Sequence, residues 1–298
     1  MHIQIASARQ LMPYQPLQQG IALIQVLLLT AILSMMALHF TLSSRQQVII
    51  ATDLQNKIEA EVQMRTLESK VLFALLTLPR DEQDNSERQD SVIGRSWNFF
   101  GKPFKVANNA TVSFQDINGL LSVYGTAYSA PLERLLLQFG QSSQQAKNII
   151  SNLHHWQGLD KRSVNRTEND QVRGDYLANV AELKLIAGID DIIYEKLAPV
   201  VTTLQNVLFN PMTAPLPVLK VFMSADIAQE IERLRQQGLL TKQRFSELTQ
   251  IVEDDTITFA PGRRQFININ IQVGDSIVTR HMIVYIRPEN QIPLVWFQ

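Results

Sequence analysis

Gly20-Ile21-Ala22-Leu23-Ile24-Gln25-Val26-Leu27-Leu28-Leu29 opens a stretch that holds neither glycine nor proline from Ile21 to Leu78. Its first part, Ile21 to Leu42, is apolar and free of formal charge, and it matches the roughly 20 apolar residues a helix needs to cross hydrocarbon. From Arg45 to Leu78 the character changes. Leu54, Ile58 and Val62, then Leu67, Val71 and Leu75, recur at helical spacing with charges between them. The pattern predicts one helix that leaves a membrane and continues into water. Unbroken, it would be on the order of 85 Å long at about 1.5 Å per residue.

The residues before Gly20 distinguish this segment from a secretory signal. Such a signal has a basic n-region, an apolar stretch of roughly 7–15 residues and an Ala-x-Ala-like cut site after it. Here Arg9 is the only firm charge, the apolar run is longer, and Thr41-Leu42-Ser43 is the nearest small-x-small match. Cleavage after the apolar segment is not expected. A polar leader that ends in glycine and joins the apolar helix directly resembles the leader of type IV pilins and of the pseudopilins of type II secretion. That resemblance implies a prepilin peptidase cut between Gly20 and Ile21, with Ile21 carrying the methylated amine. The leader ends Gln18-Gln19-Gly20, where the family commonly has basic residues before the glycine.

The fifth residue after that junction sharpens the resemblance. Most pilins and pseudopilins carry a glutamate there, which pairs with the terminal amine of a neighbouring subunit, and this chain has Gln25. An unpaired carboxylate in a bilayer costs roughly 2.5–3.5 kcal/mol on insertion scales, so a glutamine removes both the cost and the charge that pairs. The K-type minor pseudopilins of type II secretion usually lack this glutamate. Gln25 is thus an expected assembly residue, suited to a subunit with no neighbour above it.

Composition sets wide bounds. The chain has 298 residues, a formal net charge of −1 and no cysteine. Near-neutral charge offers no electrostatic attraction for nucleic acid. Without cysteine there is no disulfide scaffold, thiolate zinc site or cysteine nucleophile. Arg9 and Arg45 flank the apolar run symmetrically, so charge does not orient the anchor. The resemblance implies a bacterial inner-membrane protein with its carboxyl-terminal part in the periplasm.

Past the helix, residues Pro79 to Asp90 read as a charged, helix-ending linker. Val112 to Ile117 alternates apolar and polar before the turn Asn118-Gly119, which predicts a strand. Ile267, Ile269, Ile271 and Val273 alternate with Asn268, Asn270 and Gln272, then Gly274-Asp275-Ser276 turns the chain into Ile277 to Arg287. This predicts a hairpin, with Leu294 to Phe297 a short last strand. Between lies a helical block, with helix-spaced apolar residues over Pro131 to Phe139, Gln144 to Trp156 and Val180 to Ala187. The fold class expected is therefore α+β: a long helix packed on an antiparallel pilin-like sheet, with an inserted all-α, helix-hairpin-helix-like domain.

Three further segments resemble the K family in matching order: Asp116-Ile117-Asn118-Gly119, Ala181-Glu182-Leu183 with Gly188, and Asn210-Pro211-Met212-Thr213-Ala214-Pro215. With them the expected organisation is a leader over 1–20, a helix over 21–78 that is transmembrane over 21–42, and a linker with the first part of the sheet domain over 79–125. The helical insert follows over 126–216, and the rest of the sheet domain over 217–298. The resemblance implies assembly with the I-type and J-type minor pseudopilins, with the H-type and the major pseudopilin beneath them, at the tip of a pseudopilus.

Rival readings have less support. Leu183 to Asp191 has the form of a helix-hairpin-helix, which grips phosphates only beside basic residues, whereas Asp190, Asp191 and Glu195 face Lys184 and Lys196 here. No nucleic-acid partner is expected. K-type pseudopilins can bind calcium, and Asp160, Glu168, Asp170 and Asp175 lie in a polar loop, but no EF-hand-like spacing is present and no metal or cofactor is assigned. His154 and His155 are adjacent, so on a helix they point about 100° apart and cannot share an ion from one face. There is no phosphate loop, Gly-x-Ser-x-Gly elbow or His-Glu-x-x-His pattern, and no catalytic residue is assigned. The alternative function is a single-pass periplasmic adaptor that binds another envelope protein.

Overall fold

The computed structural model describes residues 19–80, 90–159, 173–205 and 208–297. The chain divides into two compact units, 1–56 and 57–298. The described part of the first is helix α1, Gln19–Thr77, as far as residue 56. Among the described residues it is the one helix long and apolar enough to cross a membrane, and none of its most apolar stretch is buried. Thr30 and Thr41 donate their hydroxyls to the carbonyls of Leu27 and Ala37, so these polar groups are satisfied within the helix itself. Residues 1–18 of the expected leader, 1–20, lie outside the described residues.

In the second unit the remainder of α1 packs on a five-stranded sheet. The strands are β1, Phe104–Ala107; β2, Ala110–Asp116; β5, Arg264–Val273; β6, Ser276–Ile286; and β7, Leu294–Phe297. Their order is β1-β2-β5-β6-β7, antiparallel throughout. Period-two alternation does the sorting. Ile267, Ile269 and Ile271 are buried on the inner face, and Asn268 and Asn270 lie on the other. Ala60, Met64, Val71, Leu72 and Leu75 of α1 meet that inner face. After the short helix α2, Val92–Ser96, Trp97, Phe99, Phe104 and Phe114 close one end of this core, with ring centroids 5.3–6.3 Å apart. Arg280 of β6 ties the sheet to α1 through Glu68 at 2.7 Å and Glu61 at 3.4 Å.

The helical block enters between β2 and β5. It starts with a two-stranded parallel pair, β3 (Leu121–Ser122) and β4 (Val201–Thr202). Helices α3 (Ser129–Gln138) and α4 (Ser143–Trp156) follow β3, and α4 begins with a capping box between Ser142 and Gln145. A 3-10 turn over Val180–Leu185 leads to α5, Asp191–Leu197, which Asp190 caps through the amide of Ile193.

The block is larger than its expected span of 126–216. Helices α6 (Leu216–Phe222), α7 (Ala225–Gln236) and α8 (Lys242–Thr249) stand where the sheet domain was expected to resume. Val218, Leu219, Ile231, Leu234, Phe245 and Phe259 share one buried core with Leu135, Leu136, Ile149 and Leu153. Each such side chain contributes about 1.5–3 kcal/mol by leaving water, so α6 to α8 belong to the block by packing. Leu121 and Val123 join the same core, which puts the block's entrance before residue 126 as well. The sheet resumes only at Arg264. The strand β1 was not foreseen, because Pro103 and Lys105 interrupt its apolar pattern.

Candidate functional site

The residues expected to act in processing and assembly lie in the first turns of α1. The helix runs through the junction of Gly20 and Ile21 without a break. Ile21 and Gln25 are four residues apart, hence on one face, and both are exposed. Gln25 is an uncharged side chain with a donor and an acceptor among Ile21, Leu23, Ile24, Val26, Leu27 and Leu28, each more than half exposed. Such a surface buries itself in lipid or against another helix.

A second constellation joins the helical block to the sheet. Asp116 ends β2 with no measurable exposure. One carboxylate oxygen accepts the amide of Asn118 at 3.1 Å. The other accepts from Asn210 Nδ2 at 3.0 Å, Thr213 Oγ1 at 3.0 Å and the amide of Gly262 at 3.1 Å. Thus one carboxylate gathers the exit of the first strands, the segment before α6 and the return to β5. Burial pushes its pKa up to about 6, against the downward pull of the four donors. Arg80 donates to the carbonyl of Gly262 at 2.7 Å. Burial lowers the Arg80 pKa, and the charge of Asp116 acts in the opposite direction.

The seam is also sterically tight. A Cβ on Gly119 would stand 2.7 Å from the Thr213 backbone, and one on Gly262 would stand 2.6 Å from Asn118 Nδ2 and 2.8 Å from Asp116 Oδ1. Two of the segments singled out in the sequence, Asp116 to Gly119 and Asn210 to Pro215, are therefore in direct contact. Gly262 and Arg80 complete the cluster and were missed. A glycine after a proline and an arginine after another carry no sequence signal for a site 146 residues from Asp116.

The third segment closes the helical core. Leu183, Ile186 and Ile189 are buried, and Gly188 has φ +97° with Ile149 Cγ1 2.9 Å from where a Cβ would sit. Glu182 accepts from Arg173 at 2.6 Å and from the amide of Ala178 at 3.3 Å. Lys184 pairs with Asp191 at 3.1 Å across the hairpin and lies 4.5 Å from the Tyr194 ring centroid. These polar contacts stay within the block. His154 Nε2 sits 3.1 Å from Ser129 Oγ. Among the described residues no three His, Asp or Glu side chains are placed to hold a metal ion. Asp175 accepts the amide of Tyr176 at 2.7 Å, while Asp160, Glu168 and Asp170 lie outside the described residues.

Residues 115–206 match the family described as type II secretion system (T2SS), protein K. The matched stretch begins beside Asp116 and runs past β4. Type II secretion system protein K of Klebsiella pneumoniae is 27% identical over 213 residues, which cover 63% of this chain and 64% of that protein. The chain thus spans just under two thirds of the length of this relative. Among solved structures the fold is similar to a chain of the GspK-GspI-GspJ complex from the type 2 secretion system of enterotoxigenic Escherichia coli. The TM-score is 0.55 at 16% identity, covering 83% of this chain and 97% of that one. The family match and the relative are likenesses to type II secretion system protein K over part of the chain, and the structural likeness supports its α+β fold.

Proposed function

We propose that this chain is a K-type minor pseudopilin, a subunit that starts and caps the pseudopilus of a type II secretion system. The observation that carries the reading is the family match over residues 115–206, which falls on a helical block carried by a sheet and a long apolar-ended helix. On this reading α1 anchors the subunit in the inner membrane, with the sheet and helical block in the periplasm. The prepilin peptidase cuts between Gly20 and Ile21. Gln25 lets the subunit occupy the one position that needs no partner amine above it. The I-type and J-type minor pseudopilins are its neighbours, by analogy with the complex that contains the similar chain. The H-type and the major pseudopilin follow below. The work is assembly, with no catalytic step assigned.

The test is intact mass and N-terminal sequencing of the membrane-extracted chain from cells with and without the prepilin peptidase. A peptidase-dependent start at methylated Ile21, with co-purification of I-type and J-type subunits, is expected. A start at Met1 in both strains refutes the reading and favours the anchored adaptor.

A further inference from the structure

A cleft of about 1050 Å³ opens where the sheet domain meets the helical block. One wall is the segment from α2 into β1, with Arg95, Asn98 and Lys102; the other is the end of α7 and the start of α8, with Arg235, Gln236 and Lys242. Arg80 lines it too, which makes five cations, and among the described residues no carboxylate lines it. In a chain whose formal net charge is −1 this is a marked local separation of charge.

The cations are held mostly by uncharged groups. Arg235 donates Nη1 to the carbonyls of Met212 at 3.2 Å and Ala214 at 2.8 Å, and its one charged partner is Glu232. Lys102 Nζ donates to the carbonyl of Gln236 at 3.2 Å, across the cleft. Behind the walls Glu232 and Asp116 offset part of the charge of Arg235 and Arg80, and Arg263 and Glu289 beside Arg80 pair with each other. An excess of positive charge remains at the rim, where Arg95 and Lys102 are exposed. The first turn of α8 adds to it. Thr241 caps the amide of Arg244, while the amides of Lys242 and Gln243 stand at the positive end of the helix without an intrahelical acceptor. A recess lined by one sign of charge between low-dielectric walls focuses the field on whatever enters.

Size and lining select among anions. The volume reaches the top of the roughly 300–1,000 Å³ that small-molecule pockets span, so one inorganic ion would leave most of it empty. Nucleic acid needs open rings on which bases stack. Here Trp97, Phe99, Phe104 and Phe259 are buried in the two cores, and the Arg235 guanidinium already lies 4.5 Å from the Phe100 ring centroid. Gln237 spends its side-chain oxygen on Arg233, and Gln243 spends one N–H on Glu247. An amide N–H₂ and an amide oxygen are thus left for a main chain. We infer that this cleft takes an extended acidic segment of another polypeptide, its carboxylates paired with Arg95, Lys102 and the first turn of α8, its main chain bonded to Gln237 and Gln243. The inference does not rest on a role in secretion.

The test uses the full chain in uncharged detergent micelles at pH 7.5 and fluorescein-labelled hexaglutamate, read by fluorescence anisotropy. Hexaglutamate is expected to bind, to weaken tenfold or more in 0.5 M salt, and to bind far more tightly than labelled hexaglutamine. The double variant Arg95→Glu with Lys102→Glu should weaken it tenfold or more. Lys57→Glu with Lys147→Glu makes the same change in net charge at exposed residues outside the cleft and should leave binding as in the wild type. Arg95→Gln with Lys102→Gln serves if the first pair lowers the thermal midpoint. No binding, or equal weakening by the two glutamate pairs, overturns the proposal. Inorganic phosphate that displaces hexaglutamate at equal concentration overturns it in favour of a simple anion site, and oligothymidylate bound as tightly does so in favour of nucleic acid. Binding seen only after Asp81, Glu82, Asp84 and Glu87 are replaced by serine overturns it in favour of the chain's own acidic residues.

Discussion

Replacing Asp116 with asparagine should change how stability depends on pH more than it changes stability itself. Burial pushes the carboxyl up to about 6 in the folded chain, against an ordinary 3.8. The native state therefore binds the proton more tightly than the unfolded state, and stability falls as pH rises through the window from about 4 to about 6. A displacement of about two units corresponds to about 3 kcal/mol, present in full below pH 4 and lost above pH 6. In Asp116→Asn the side-chain oxygen can keep the three donors of Asn210, Thr213 and Gly262, while the new amide faces the N–H of Asn118. One buried donor is left unmatched, at about 1–3 kcal/mol. At pH 4 the wild type should be the more stable by about that amount. By pH 7 ionisation of Asp116 offsets the difference, and the two chains converge or cross. Urea unfolding of both full-length chains in detergent, followed by tryptophan fluorescence from pH 4 to 7.5, measures the difference free of the titration of other carboxylates. A wild-type minus variant difference that stays constant across that range would refute the assignment of a buried, proton-binding Asp116.

Gly119→Ala forces a methyl to 2.7 Å from the Thr213 backbone and should lower stability by about 1–3 kcal/mol, seen as a lower thermal midpoint. Gly188→Ala combines a left-handed φ with a 2.9 Å approach to Ile149, so a loss of about 1–2 kcal/mol or more is expected; a midpoint within error of wild type would contradict the close packing described. Glu68→Gln leaves Arg280 with Glu61 alone and should cost only about 0.5–1 kcal/mol, with the loss shrinking in high salt. Gln25→Glu should make insertion of α1 less favourable, by less than the roughly 2.5–3.5 kcal/mol of a charge at the bilayer centre because it lies only one turn from Ile21. A glycosylation-mapping insertion assay reads this directly, and equal insertion of the two chains would contradict it.

The elements with a strong periodic signal were legible from residues alone. An unbroken apolar run specified α1, and strict alternation from Ile267 to Val273 with a Gly-Asp turn specified the hairpin of β5 and β6. Helices α6 to α8 were not foreseen. Leu216-Pro217-Val218-Leu219 is too short and too uniformly apolar to separate a buried helix from a buried strand. In α7 the apolar positions Ile227, Ile231 and Leu234 are spaced for a helix, but charges dilute them. Only burial against Leu135 and its neighbours assigns all three helices to the block. The seam shows the same limit. Its asparagine, threonine and glycine segments stood out as motifs, yet nothing local says that Asp116 collects donors 94, 97 and 146 residues away.

The interruption of the sheet between β2 and β5 has a consequence for how the chain folds. Asp116 must find Gln265 across an intervening loop before the central pair of strands can form. Closing about 150 flexible residues is costly, and each halving of the effective loop recovers about 0.6 kcal/mol. A helical block that condenses first, from mostly local helix contacts, brings its two ends together at the Asp116 and Gly262 junction. It then acts as a short tether. Sheet closure becomes the late, slow event, and until it occurs the alternating isoleucines of β5 and Met282, Val284 and Ile286 of β6 remain uncovered. Damage to the block's interior should therefore surface as aggregation through a hairpin that lies outside it.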